Sequence, residues 1–246
     1  MNANIARQLL ELNRRFYTEH GHDFSVTRGR LQTGVLRVIE ALRGDEVILD
    51  LGCGNGGLAR TLSQRGHHGS YLGLDFSPSL LAEAEREPFT LPVQFRQADL
   101  TADGWNDVIV AAVGNNLYDV VFAFAVLHHV PGYELRLDLI CKVHELLKPN
   151  GLFVLSNWQF LNSEKLKARI QPWERIGMGD TDVDVNDHLL DWRHGGEGLR
   201  YVHHFDVSEL TDLAKAGGFE ISETFYSDGE NKRLSLYQTW RKANRH

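Results

Sequence analysis

Short apolar runs alternate with amphipathic stretches through the middle of the chain. Residues 46–51 (EVILDL) are apolar and β-branched, which predicts a buried strand. Glycines follow at once, and a helical pattern covers 58–64. Residues 70–75 (SYLGLD) predict a second strand that ends in an acid. A helix is expected over 79–86, capped by Ser77 with Pro78 in its first turn. Residues 93–98 (VQFRQA) alternate as a third strand, and 118–124 (YDVVFAF) form a fourth. An amphipathic helix is expected over 135–147. A fifth strand, 151–157 (GLFVLSN), opens from the Pro149-Asn150-Gly151 turn. Strands alternating with helices imply βαβ units: an α/β fold with a mostly parallel central sheet and helices on both faces.

This alternating region, 45–157, reads as the core. Residues 1–44 read as a helical, arginine-rich cap. Residues 158–246 read as an insertion followed by an element that completes the sheet, within the same domain. An acidic loop is expected over 180–191 (DTDVDVNDHLLD), then a helix and two further strand-like runs.

Composition narrows the function classes. A net charge of −7 argues against a protein coated to grip long duplex nucleic acid, though not against a local basic groove. Two cysteines, Cys53 and Cys141, make neither a disulfide framework nor a zinc site. The histidine pairs lack cysteine or carboxylate ligands at metal spacing, so no metal is expected. The first residues lack the apolar stretch of a signal peptide, and no apolar run approaches the roughly 20 residues of a membrane span. A cytoplasmic protein with no membrane partner is the expectation.

Asp50-Leu51-Gly52-Cys53-Gly54-Asn55-Gly56 joins a strand to a helix. Its glycines let the backbone turn tightly and lie close to a ligand. Alone, the pattern fits a nicotinamide enzyme, an S-adenosylmethionine (SAM) enzyme or a plain tight turn. Two features separate these. The third glycine comes one residue early for the dinucleotide fingerprint, and Asp50 would repel a pyrophosphate. An acid there suits a ligand carrying an amine, such as the methionine end of SAM. Asp75 ends the second strand, where an acid accepts from ribose hydroxyls. Asp99 follows the third strand and suits an adenine amino group. The three acids recur once per βα unit, at strand ends where open sheets bind ligands.

These segments (DLGCGNGG, GLDFS, QADL and AFAVLHHV…LLKPNGLFVLSN) closely resemble the motifs of class I SAM-dependent methyltransferases. The resemblance implies a Rossmann-like fold with SAM as cofactor. It implies that Asp50, Gly52, Gly54 and Gly56 hold the methionine part, and that Asp75 holds the ribose with Phe76 on the adenine. Asp99 and Leu100 would complete the adenine site, and Ala125 and Val126 would line the donor cleft.

Methyl transfer is an in-line displacement on an activated donor, so the protein mainly positions and desolvates the acceptor. A base helps only where the acceptor carries a proton; a carboxylate acceptor needs cations instead. Arg193 and Arg200 suit a carboxylate or phosphate because a guanidinium clamps either in a planar fork. A second resemblance is to the eukaryotic-type tRNA wobble-uridine methyltransferases, which esterify a carboxymethyl group. It rests on Phe16-Tyr17, Phe24-Ser25-Val26-Thr27-Arg28, VLHHV, SNWQ and 200–205 (RYVHHF), with Val202 where the family has a second tyrosine. It implies that Arg28 reaches the SAM carboxylate or the acceptor, and that Arg193 and Arg200 hold the acceptor's anionic groups. His128, ahead of His129, would line the acceptor pocket, with Tyr17, Trp192, Tyr201 and His203 binding substrate. Unpaired anticodon bases would stack on Tyr17, Trp192 or Tyr201. The alternatives are a small-molecule O- or N-methyltransferase and a SAM-binding protein without turnover. Eukaryotic members work with a small partner subunit, and this sequence leaves that point open.

Overall fold

The computed structural model describes residues 1–26, 30–86, 88–114, 117–193 and 198–243. Two helices open the chain, α1 (Ala3–Val26) and α2 (Thr33–Glu40). The alternating region follows as β1 (Ile48–Leu51), α3 (Gly57–Gln64), β2 (Tyr71–Asp75), α4 (Pro78–Ala84), β3 (Val93–Gln97), α5 (Asp107–Val113), β4 (Tyr118–Phe124), α6 (Tyr133–Leu146) and β5 (Leu147–Trp158). Then come α7 (Glu164–Lys167), β6 (Ile170–Gln171), β7 (Asp187–Trp192), β8 (Gly198–His203), α8 (Val207–Ala216), β9 (Phe219–Ser227) and β10 (Ser235–Lys242).

Seven strands form one sheet in the order β3-β2-β1-β4-β5-β10-β9. β1 pairs in parallel with both β2 and β4, while β10 runs antiparallel between β5 and β9. The chain therefore reverses its winding between β1 and β4, and a crevice opens at their carboxyl ends. Alternation along β4 supplies both faces of the sheet. Val121 and Ala123 join a core with Leu139, Ile140 and Val143 of α6 and Leu210 and Leu213 of α8. Val120 and Phe122 join the opposite core with Ile39 of α2, Leu58 and Leu62 of α3 and Leu81 of α4. Helices thus cover both faces of a mostly parallel sheet. Ser77 caps α4 by accepting from the Leu80 amide, with Pro78 in the first turn.

The acidic stretch expected as one loop divides. Its second half is β7, at the centre of a three-stranded antiparallel sheet ordered β6-β7-β8. Leu189 and Leu190 are both fully buried, one against Ile5 and Leu9 of α1 and the other against Phe160 and Val202. A strand between two apolar layers explains why these acids do not form a solvated loop.

α1 is tied to this small sheet through Asn13, which is buried. Its side-chain oxygen accepts from the Tyr201 amide at 2.8 Å, and its Nδ2 donates to the carbonyls of Tyr201 (3.1 Å) and His129 (3.3 Å). Beneath lies a charged cluster in which the Tyr201 hydroxyl donates to Asp187 at 2.7 Å and accepts from Arg136 at 2.8 Å. Arg136 also meets Glu209 at 3.3 Å. These contacts hold α1 across the mouth of the crevice. No described helix is long and apolar enough to cross a membrane.

Candidate active site

The crevice is a cavity of about 700 Å³, within the size range of small-ligand sites. The glycine turn forms its floor. Gly52 (φ +72°) donates its amide to the Leu74 carbonyl at 2.7 Å, and a Cβ there would stand 2.6 Å from Val126. Gly54 (φ +55°) faces open space, with nothing within 4 Å of a built Cβ, so its backbone is bare to the cavity. Gly56 caps α3 and packs on Ala84 and Phe95, away from the cavity lining.

Asp50 is buried beneath this turn and accepts from the Tyr71 hydroxyl. Burial pushes its carboxyl up to about 7; the Tyr71 bond opposes this and the neighbouring Asp75 charge adds to it. Asp75 accepts from the amides of Gly54 and Ser77, each at 2.9 Å. Burial raises its carboxyl too, against the pull of those amides. The side of the cavity beyond Asp75 carries Phe76, Leu100 and Asp99. Asp99 accepts from the Thr101 amide (3.0 Å) and hydroxyl (2.6 Å), and from Arg14. Partial burial works against its charge, but the Thr101 bonds and the Arg14 guanidinium outweigh it and hold the carboxyl below the usual range. Asp99, expected to meet an adenine amino group, thus has one oxygen engaged by Thr101 and the other by Arg14.

The opposite end lies under α1. Ala125, directly after β4, holds φ +58°, uncommon for a residue with a side chain, and its amide donates to Ser156. Conformations of this kind gather at functional sites. Tyr17 and His129 line the cavity together, the Tyr17 hydroxyl lying 2.7 Å from His129 Nε2. His128 points the other way. It is buried, and its Nδ1 lies 3.4 Å from the Trp158 amide.

Several expected acceptor residues lie outside this cavity. Arg200 is only 4% exposed, its guanidinium 4.8 Å from the Trp158 ring and 5.3 Å from that of Phe16. Trp192 is buried beside it. Tyr201 and His203 are buried in the charged cluster, His203 between Asp187 (2.6 Å) and Glu209 (2.9 Å). Arg193 is a surface residue paired with Asp191 at 2.7 Å. Strand alternation and the packing of α1 turn these side chains inward or outward, which sequence spacing alone did not reveal. Arg28 lies outside the described residues. Among the described residues, no group of three or more His, Cys, Asp and Glu is placed to hold a metal ion.

The sequence reading missed Asn13, Arg14, Thr101, Arg30 and Arg60. The signal for the α1 residues was present: Leu10, Asn13, Arg14 and Tyr17 recur at helical spacing and share one face. Nothing in the spacing says what that face meets.

A crevice at the winding reversal, a bare glycine turn and an acid after each of β2 and β3 define a Rossmann-like methyltransferase. The chain belongs to the methyltransferase-domain family, whose model matches residues 24–224. Over 157 residues it is 32% identical to trans-aconitate 2-methyltransferase of Escherichia coli, covering 62% of this chain and 55% of that one. Over 185 residues it is 25% identical to tRNA (carboxymethyluridine(34)-5-O)-methyltransferase of Mus musculus, covering 72% of this chain and 25% of that one. The chain thus spans about half the length of one relative and a quarter of the other. Its fold matches that of 1,6-didemethyltoxoflavin-N1-methyltransferase from Burkholderia thailandensis, solved with 1,6-didemethyltoxoflavin and S-adenosylhomocysteine. The TM-score is 0.63 at 19% identity, over 99% of this chain and 92% of that one.

Proposed function

We propose that this methyltransferase moves the methyl group of SAM onto a small acceptor held between α1 and the turn after β4. The observation that carries this is a single cavity, lined at one end by Asp50, Asp75 and Asp99 and at the other by Tyr17 and His129. The donor set suits SAM. Asp50 offers a carboxylate to an ammonium group, and Asp75 accepts from ribose hydroxyls. Phe76 and Leu100 flank the adenine, with Asp99 beyond them. The bare backbone of Gly54 gives the methionine end close approach. Arg28 stays a candidate for the donor's carboxylate, and so do Arg30 and Arg60, which line the cavity. SAM supplies an activated methyl; the chain's residues bind, orient and exclude water.

A small acceptor is favoured by the full burial of Tyr201, one of the rings expected to stack on splayed bases. The second reading, esterification of a carboxymethyl group on a tRNA wobble uridine, is supported by the mouse relative and by the segments around Tyr17 and Arg200. The deciding experiment supplies radiolabelled SAM with total tRNA and, in parallel, a small-metabolite extract. Label in the metabolite fraction is expected. Label in tRNA that mild alkali releases would establish the wobble-uridine reading instead. SAM binding without transfer to either pool would leave a binding protein without turnover.

A further inference from the structure

The acceptor end contains a proton acceptor whose protonation state is set by its partners. His129 Nδ1 lies 3.3 Å from the Tyr201 carbonyl. A carbonyl only accepts, so in the neutral ring Nδ1 carries the hydrogen and Nε2 is the accepting nitrogen. Nε2 faces the Tyr17 hydroxyl at 2.7 Å, and that hydroxyl donates to it. The buried Arg200 guanidinium also interacts with Tyr17, which supports its charge against the effect of burial. Asn13 bonds the His129 and Tyr201 carbonyls from α1, so helix, turn and strand are locked in one register around the pair. Both side chains line the donor cavity.

We propose that Tyr17 and His129 act as a proton-accepting pair, and that the acceptor is therefore a nucleophile bearing a proton at its reacting atom, a hydroxyl or N–H group, not a carboxylate. This rests on the methyltransferase reading above. A carboxylate needs donors or cations facing it. Of the arginines that line the cavity, Arg14 is paired with Asp99 and Arg60 is bonded to Asn55, and Arg30 is assigned above to the donor's carboxylate; at the acceptor end the Tyr17 hydroxyl and the His129 Nδ1 hydrogen are both directed to protein acceptors, and Nε2 can only receive. In the step itself, the acceptor's oxygen or nitrogen forms a bond to the methyl carbon while the carbon–sulfur bond breaks and its electron pair stays on sulfur. The acceptor's proton passes to the Tyr17 oxygen as the Tyr17 proton moves to His129 Nε2, leaving an imidazolium that releases it to water. Arg200 is a positioning residue, holding the phenol against Nε2.

The test combines ¹⁵N NMR of the free protein with methyl transfer from labelled SAM into a small-metabolite extract. The expected spectrum at neutral pH has His129 protonated at Nδ1; protonation at Nε2 would overturn the inference. The expected product keeps its label through mild alkali, as an ether or N-methyl group does. Alkali-released label, the mark of a carboxyl ester, would overturn it. His129→Asn and Tyr17→Phe are expected to lower transfer at least about 100-fold, the ordinary worth of a positioned base, with calorimetric SAM affinity unchanged. Transfer at the wild-type rate in both would overturn it. Arg200→Lys, which keeps charge and a donor, is expected to restore part of the transfer that Arg200→Met loses; equal rates in these two would remove the positioning role. Failure of the wild-type protein to bind SAM would overturn the donor reading and this inference together, whereas the ester result overturns only this one.

Discussion

Asp50→Asn separates two consequences of burying an acid beneath the glycine turn. Folding carries this carboxyl from 3.8 to about 7, first through burial. At about 1.4 kcal/mol per unit, roughly three units amount to about 4 kcal/mol against the folded state once the group is charged. The sign follows from proton counts. Between pH 3.8 and about 7 the unfolded chain has released this proton while the folded protein retains it, so stability falls as pH rises through that window and levels off above it. Asparagine carries no such term. Its amide nitrogen does need a partner, which subtracts about 1–3 kcal/mol at every pH. The pH dependence of the difference is therefore the readout, not its absolute size. Urea unfolding of both proteins at about pH 5.5 and about pH 8.5 should show the variant gaining roughly 2 kcal/mol on the wild type between the two conditions. A difference that stays constant within about 0.5 kcal/mol, close to the error of such fits, would refute the placement of Asp50 as a destabilising buried acid. The same substitution should abolish pairing with the donor's ammonium group. In the wild type, SAM affinity should weaken as pH drops below about 7, because the carboxyl must ionise to bind.

Three further outcomes are expected. Asp75→Ala should weaken SAM binding by about 1.5–3 kcal/mol, the worth of hydrogen bonds to a charged acceptor; unchanged affinity by calorimetry would count against Asp75 as the ribose ligand. Arg136→Met should destabilise the fold by about 3–5 kcal/mol, because Asp187 and Glu209 lose their buried cation; a loss below about 1 kcal/mol in urea would show the cluster to be far better solvated than its burial implies. Gly34→Ala, although alanine is the better helix former, should destabilise by about 1–3 kcal/mol, since the new Cβ would stand 2.3 Å from the Tyr237 ring; equal or higher thermal stability would refute that contact.

The sequence by itself determined the strand–helix alternation, the glycine turn, the acid that ends β2 and the acid just past β3. Each of these is a local signal: a run of β-branched residues, a backbone that must turn tightly, one acid per βα unit. They mark the half of the cavity proposed for the donor because in a parallel sheet every strand delivers its end to the same edge, so position in the chain is already position in space. The acceptor half lacks that property. Tyr17 and His129 are 112 positions apart and touch only because Asn13 joins α1 to β8 and to the turn after β4. One residue of register separates His129, in the cavity, from His128, in the core, and that choice belongs to the geometry of the turn. Arg200 and Tyr201 sit on adjacent, opposite-facing positions of β8, and the layers on both sides of that strand bury them both. Even Asp99, legible as a strand-end acid, meets Arg14 only once α1 has packed across the crevice. Which side chains reach the acceptor was decided by tertiary packing, because contacts between distant segments depend on how whole elements dock rather than on any pattern within them.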